Sequence, residues 1–146
     1  MKRSKRLEPV VRVAENRKQQ AAKALGESQS ALQQAEQRLD ELKNYREEYI
    51  RRFHANGAQG MSAVQMGDYR LFLSNLSRAI EQQVELVNQA AAVVEQQRQH
   101  WFSHHGKVKM LDKVVSRFQA DEQRIVDKKE QLEQDERAQR LPKSSR

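Results

Sequence analysis

His100 and His104 stand one helical turn apart, the i, i+4 spacing with which two imidazoles can hold a metal ion on one helix face, and His105 is next to them. A metal centre needs more than that. The chain has no cysteine to supply thiolate, no HExxH motif and no carboxylate pair placed to complete a ligand set. His104 also falls on the heptad row described below, where a polar insert sets register. Serine and histidine side chains occur, but nucleophilic catalysis needs a concave pocket to hold nucleophile and base together. Gly57 and Gly60 lack the preceding strand and the following Lys-Ser/Thr of a phosphate-cradling loop. The residues therefore offer no catalytic constellation, and they call for no metal and no cofactor.

Charge is the next candidate for function. The formal net charge is +7, and residues 1–6 carry four basic and no acidic side chains. Residues 107–146 carry eleven basic and eight acidic ones, while the middle is nearly neutral. Lys2-Arg3-Ser4-Lys5-Arg6 ahead of a heptad repeat has the layout of a basic zipper. The basic run is too short for a groove-reading helix, and carboxylates interrupt the repeats that follow. Nucleic acid is not the expected partner. Arg51-Arg52 and Lys128-Lys129 read as solvated helix faces with acids nearby for pairing.

The elements that carry these residues are long helices. Hydrophobic residues are 37% and charged residues 32% of the 146, with five glycines and two prolines. That composition is too polar for a compact globule and suits a coiled coil, which buries only a narrow seam. From Leu7, alternating steps of four and three give Leu7, Val11, Ala14, Lys18, Ala21, Leu25, Ser28, Leu32, Ala35, Leu39, Leu42, Arg46, Tyr49 and Phe53. Eleven of these fourteen are apolar and the register never slips, which specifies a heptad seam. Pro9 suits a first helical turn, so a first helix over about 8–54 is predicted.

Asn56-Gly57 and Gly60 then break the pattern, and Ser62 with Gln65 forms a capping-box sequence. The same alternation resumes at Met66 and continues through Phe118, passing Tyr69, Leu73, Leu76, Ile80, Gln83, Val87, Ala90, Val94, Gln97, Trp101, His104, Val108, Leu111 and Val115. Beyond Glu122 it returns at Ile125 and Leu132. A second helix over about 63–140 is predicted, with a loop over about 55–62 and a frayed basic tail at each end. The fold class is all-α: two long helices forming an antiparallel coiled-coil hairpin in one domain, 1–146, as a monomer.

The predicted lengths differ. At about 1.5 Å per residue the first helix runs out near residue 110 of the second, leaving Val115, Phe118, Ile125 and Leu132 without a partner in the chain. Gly106, just before this overhang, is the expected bend. At the loop end, Tyr45, Tyr49, Phe53, Tyr69 and Phe72 gather five of the eight aromatics, more than a two-stranded seam can bury. Leu42, Tyr45 and Tyr49 on one helix and Phe72, Leu76 and Ala79 on the other fall in rows that share one patch, a protein-binding anchor or a thickened core. No apolar stretch follows the basic N-terminus and the longest apolar run, residues 90–94, is far short of a membrane span, so a soluble, cytoplasmic protein is expected.

These residues resemble the flagellar export protein FliJ family over nearly the whole chain. The resemblance rests on Gln34-Ala35-Glu36 followed by Leu42, Tyr45 and Tyr49, and on Tyr69-Arg70-Leu71-Phe72 with Leu76 and Ala79-Ile80-Glu81-Gln82. Arg98, Trp101, Glu130-Gln131 and Asp135-Glu136 complete it in order and spacing. Leu132 departs from a commonly basic position, and Arg38 and Gln83 stand at the ends of the two patch rows. The resemblance implies a coiled coil similar to the γ stalk of rotary ATPases, without enzymatic activity, in flagellar type III export at the inner membrane. It implies as partners the export ATPase FliI with its regulator FliH, the export-gate protein FlhA and export chaperones. Gate contact then falls to Leu42, Tyr45, Tyr49, Phe72, Leu76 and Ala79, and ATPase-ring contact to Lys113, Arg117, Phe118 and Arg124. A virulence-injectisome stalk, a nucleic-acid-binding coiled coil and a homodimeric spacer are the alternative readings.

Overall fold

A computed structural model describes residues 1–57 and 60–140. Ala58 and Gln59 of the expected loop and the expected tail 141–146 lie outside the described residues. The architecture is all-α: α1 (Arg3–Arg6), α2 (Glu8–Asn56) and α3 (Ala63–Arg140), with α2 and α3 packed against each other. The chain divides into two compact units, residues 21–101 and residues 1–20 with 102–146.

In the first of these units, the seam follows the heptad row. Ala21, Ser28, Leu76, Ile80 and Val94 are buried and the other row positions are half-buried. Polar seam residues are accommodated individually. Ser28 donates its hydroxyl to the Leu25 carbonyl at 2.7 Å, satisfying a group that would otherwise be desolvated without a partner. Gln83 donates from Nε2 to the Ala35 carbonyl of the facing helix at 3.0 Å, which ties the register of one helix to the other. At the turn, the Gly57 N–H bonds the Phe53 carbonyl, closing the last turn of α2. Ser62 and Gln65 then cap α3 reciprocally. The Gln65 N–H donates to Ser62 Oγ at 3.2 Å, and the Ser62 N–H donates to Gln65 Oε1 at 3.1 Å.

In the other unit, Val108 is buried at the seam, with Leu7, Val11, Ala14 and Lys18 of one side and His104, Leu111, Val115 and Phe118 of the other half-buried. The expectation that Val115 and Phe118 lack a partner is overturned. The long helix α2 begins at Glu8, beside Pro9 as expected, and a separate helical turn, α1, precedes it over Arg3–Arg6. The guanidinium of Arg3 lies 5.7 Å over the Phe118 ring, and Ser4 bonds Glu122. Ile125 and Leu132 are exposed, so the stretch of α3 without apolar cover starts beyond Glu122. The N-terminal residues read as a frayed tail are therefore helical from Arg3 to Arg6. α3 passes through Gly106, the expected bend, without interruption of the helix.

Candidate interaction surfaces

The heptad spacing of α2 and α3 brings the aromatic residues beside the turn into a continuous chain. The Phe53 and Tyr69 rings stack with centroids 3.7 Å apart, Tyr69 stacks on Tyr49 at 5.3 Å, Tyr49 meets Phe72 at 4.4 Å, and Phe72 meets the edge of Tyr45 at 6.0 Å. Each link joins α2 to α3. Such offset and edge-on contacts are worth about 0.5–1.5 kcal/mol each beyond area burial, so the cluster both staples the turn and fixes its ring orientations.

The cluster is graded from inside to outside. Leu76 is 8% exposed and belongs to the seam, Leu42, Tyr49, Phe72 and Ala79 are half-buried, and Tyr45 is 50% exposed. Thus the two sequence rows do meet, through the contacts of Phe72 with Tyr45 and Tyr49. Leu76 is a buried seam residue of the same row, while Tyr45 presents half of its side chain to solvent. Arg38, at one end of the row, is exposed and pairs loosely with Glu41 at 3.7 Å. Gln83, at the other end, is held by its bond to Ala35. Arg52 pairs with Glu48 at 2.7 Å on an exposed face, as expected for a solvated pair.

Two further residues continue this patch and were missed. Successive steps of seven residues from Ala79 reach Leu86 and then Val93, and both are exposed. The signal was available in the sequence: the row beside the seam stays apolar for two more heptads, and only its first members were counted.

Of the ATPase-contact candidates, Lys113, Arg117 and Arg124 are exposed, and Phe118 is half-buried beneath Arg3. Arg124 pairs with Asp121 at 2.9 Å. Glu122 accepts from the Ser4 hydroxyl at 2.7 Å and the Ser4 N–H at 3.1 Å. The hydroxyl bond first, then the N–H bond, hold its carboxyl below the ordinary value, with Lys2 assisting and desolvation opposing. His105 titrates below the ordinary histidine value, chiefly through desolvation and then through the charges of Lys18 and Lys109. Among the described residues no group of three His, Asp or Glu side chains could hold a metal ion. Among them, no helix is long and apolar enough to cross a membrane. The grooves along the paired helices are open to solvent, and what these surfaces offer is contact rather than enclosure.

A family model described as "Flagellar FliJ protein" matches residues 3–146. The chain is 32% identical over 77 residues to the Flagellar FliJ protein of Escherichia coli (strain K12), covering 53% of this chain and 52% of that protein. It is 34% identical over 76 residues to the Flagellar FliJ protein of Salmonella typhi, covering 52% of each. The chain spans about half the length of the curated relatives it matches. No solved structure matches it.

Proposed function

The chain belongs to the FliJ family of flagellar proteins, and from that premise we propose that it is a non-enzymatic stalk or adaptor of the flagellar type III export apparatus. It links the export ATPase FliI, with its regulator FliH, to the membrane gate protein FlhA, and it handles export chaperones. It works in the cytoplasm, at the inner-membrane face of the apparatus.

The aromatic cluster carries this reading. Tyr45, Tyr49 and Phe72 are locked to one another across two helices, and locked aromatics lose little conformational entropy on binding. Leu42 and Ala79, half-buried, and Leu76, buried in the seam, fall on the same rows. These residues take the gate protein. Lys113, Arg117 and Arg124, with Phe118 beneath Arg3, take the ATPase ring. The two contacts involve different residues, so one chain can engage both partners at once and couple ATP-driven change in one to transport through the other.

The test is a Tyr45→Ala/Phe72→Ala double variant in pull-downs with FlhA. Capture of FlhA falls at least tenfold while capture of FliI is retained and the far-ultraviolet spectrum stays helical. Undiminished FlhA capture by a helical double variant overturns the gate assignment.

A further inference from the structure

The unit formed by residues 1–20 and 102–146 holds a groove that neither proposed contact uses. Its walls are almost wholly apolar, built from Val10 and Val13 of α2 and Leu111 of α3. Val10 and Val13 are 48% and 50% exposed although they lie within the paired stretch of α2. Met110, exposed beside Leu111, extends the apolar surface along α3. Arg17 on one helix and Lys107 on the other form the charged rim, and no carboxylate lines it.

The acids of this stretch lie elsewhere. Glu8 and Asp112 line a different groove of the same unit, together with Val11 and Val115. The heptad explains the segregation. Val10, Arg17 and Lys107 occupy the position just before a seam residue, whereas Glu8 and Asp112 occupy the position just after one, so the two sets project to opposite sides of the pair. One side is apolar with a cationic rim on both helices.

From this juxtaposition we infer that the Val10–Val13–Leu111 groove, rimmed by Arg17 and Lys107, docks an acidic amphipathic helix of a partner protein. The apolar residues of such a helix, spaced by three and four, seat against Val10, Val13 and Leu111 as a third strand of the coiled coil. Its flanking carboxylates face Arg17 on one side and Lys107 on the other. The rim charges select the partner and speed its approach, and the aliphatic walls hold it. A basic helix is repelled from both rims.

The test uses the full-length chain and fluorescein-labelled two-heptad peptides with leucine at the seam positions and either glutamate or lysine at the flanking ones. Fluorescence anisotropy shows the glutamate peptide bound at least tenfold more tightly than the lysine peptide, with affinity falling as salt rises. An Arg17→Glu/Lys107→Glu variant inverts that preference, and Val13→Ser weakens the glutamate peptide several-fold, with helical content unchanged in both. The Tyr45→Ala/Phe72→Ala variant binds the glutamate peptide as the parent chain does, which separates this site from the gate patch. Equal binding of the two peptides, a preference that survives the charge reversal, or loss of binding in the Tyr45/Phe72 variant overturns the proposal. So does a parent chain that sediments as a dimer dissociated by the charge reversal, because a second copy then occupies the groove.

Discussion

Ser4 donates both its backbone N–H and its hydroxyl to the two carboxylate oxygens of Glu122, at 3.1 and 2.7 Å. Lys2, the N-cap of α1, provides no side-chain cap, so Glu122 of the facing helix serves a first-turn donor that α1 cannot satisfy itself. The sign of the pH effect follows. A carboxyl whose folded-state value lies below its unfolded one adds stability above the ordinary carboxylate range, and that contribution disappears as pH falls through the folded value. Between about pH 6 and about pH 3 the parent chain therefore loses more thermal stability than Glu122→Gln, measured by circular dichroism melts. Parallel losses in the two chains would show that the contact contributes nothing.

His105 titrates below the ordinary histidine value, through desolvation first and Lys18 second. The unfolded chain binds this proton more readily, so the histidine favours folding above the ordinary value and opposes it as pH drops below. Lys18→Met removes one of the two cations and raises the His105 midpoint in an NMR titration. An unmoved midpoint would show that the Lys18 charge contributes nothing, leaving burial and Lys109.

Leu76 and Tyr45 belong to one patch but stand at opposite exposures, 8% and 50%. Leu76→Ala is expected to cost about 2–5 kcal/mol by truncating a buried aliphatic. Tyr45→Ala is expected to cost roughly 1 kcal/mol, from its edge contact with Phe72. Denaturant unfolding separates the two. A Tyr45→Ala loss as large as that of Leu76→Ala would make Tyr45 a core residue and remove it from the binding surface.

The reciprocal bonds of Ser62 and Gln65 start α3 at the turn. Replacing Ser62 by Ala is expected to cost about 0.5–2 kcal/mol in the same assay, with Thr restoring most of it.

Gly106 lies inside α3, and a Cβ built there meets nothing within 4 Å. Gly106→Ala is expected to add roughly 1 kcal/mol of stability, because glycine is among the weakest helix formers. A destabilised variant would point to a distortion of α3 that only glycine accepts.

Much of this was legible in the residues. Every one of the fourteen seam positions chosen on α2 and its lead-in, from Leu7 to Phe53, is buried or half-buried, including Lys18, Ser28 and Arg46. The pairing of Tyr45 with Phe72 followed from counting outward from the turn. Periodicity reads a seam well because the pattern repeats on one length scale. It reads the ends poorly. Lys2 to Arg6 read as a frayed basic tail, and a helix count begun at Pro9 places the last pairing near residue 110. The pairing extends to Glu122 through Arg3 over Phe118 and through Ser4, and Ser4 and Glu122 hold row positions with polar side chains that an apolar count passes over. Glu122 itself interrupted the apolar row and gave no sign of being a hydrogen-bond acceptor. Leu86 and Val93 were missed for a different reason, since they lie beside the seam rather than on it.

The aromatic contacts from Phe53 to Tyr69 join residues close in sequence, whereas Ser4 meets its partner 118 residues away. Closing a short loop costs less entropy than closing a long one. As the chain leaves the ribosome, Tyr69 and Phe72 can lock onto Tyr45, Tyr49 and Phe53 while Glu122 has yet to be synthesised. The nascent protein thus acquires its aromatic cluster first, and the N-terminal residues wait longest for their place.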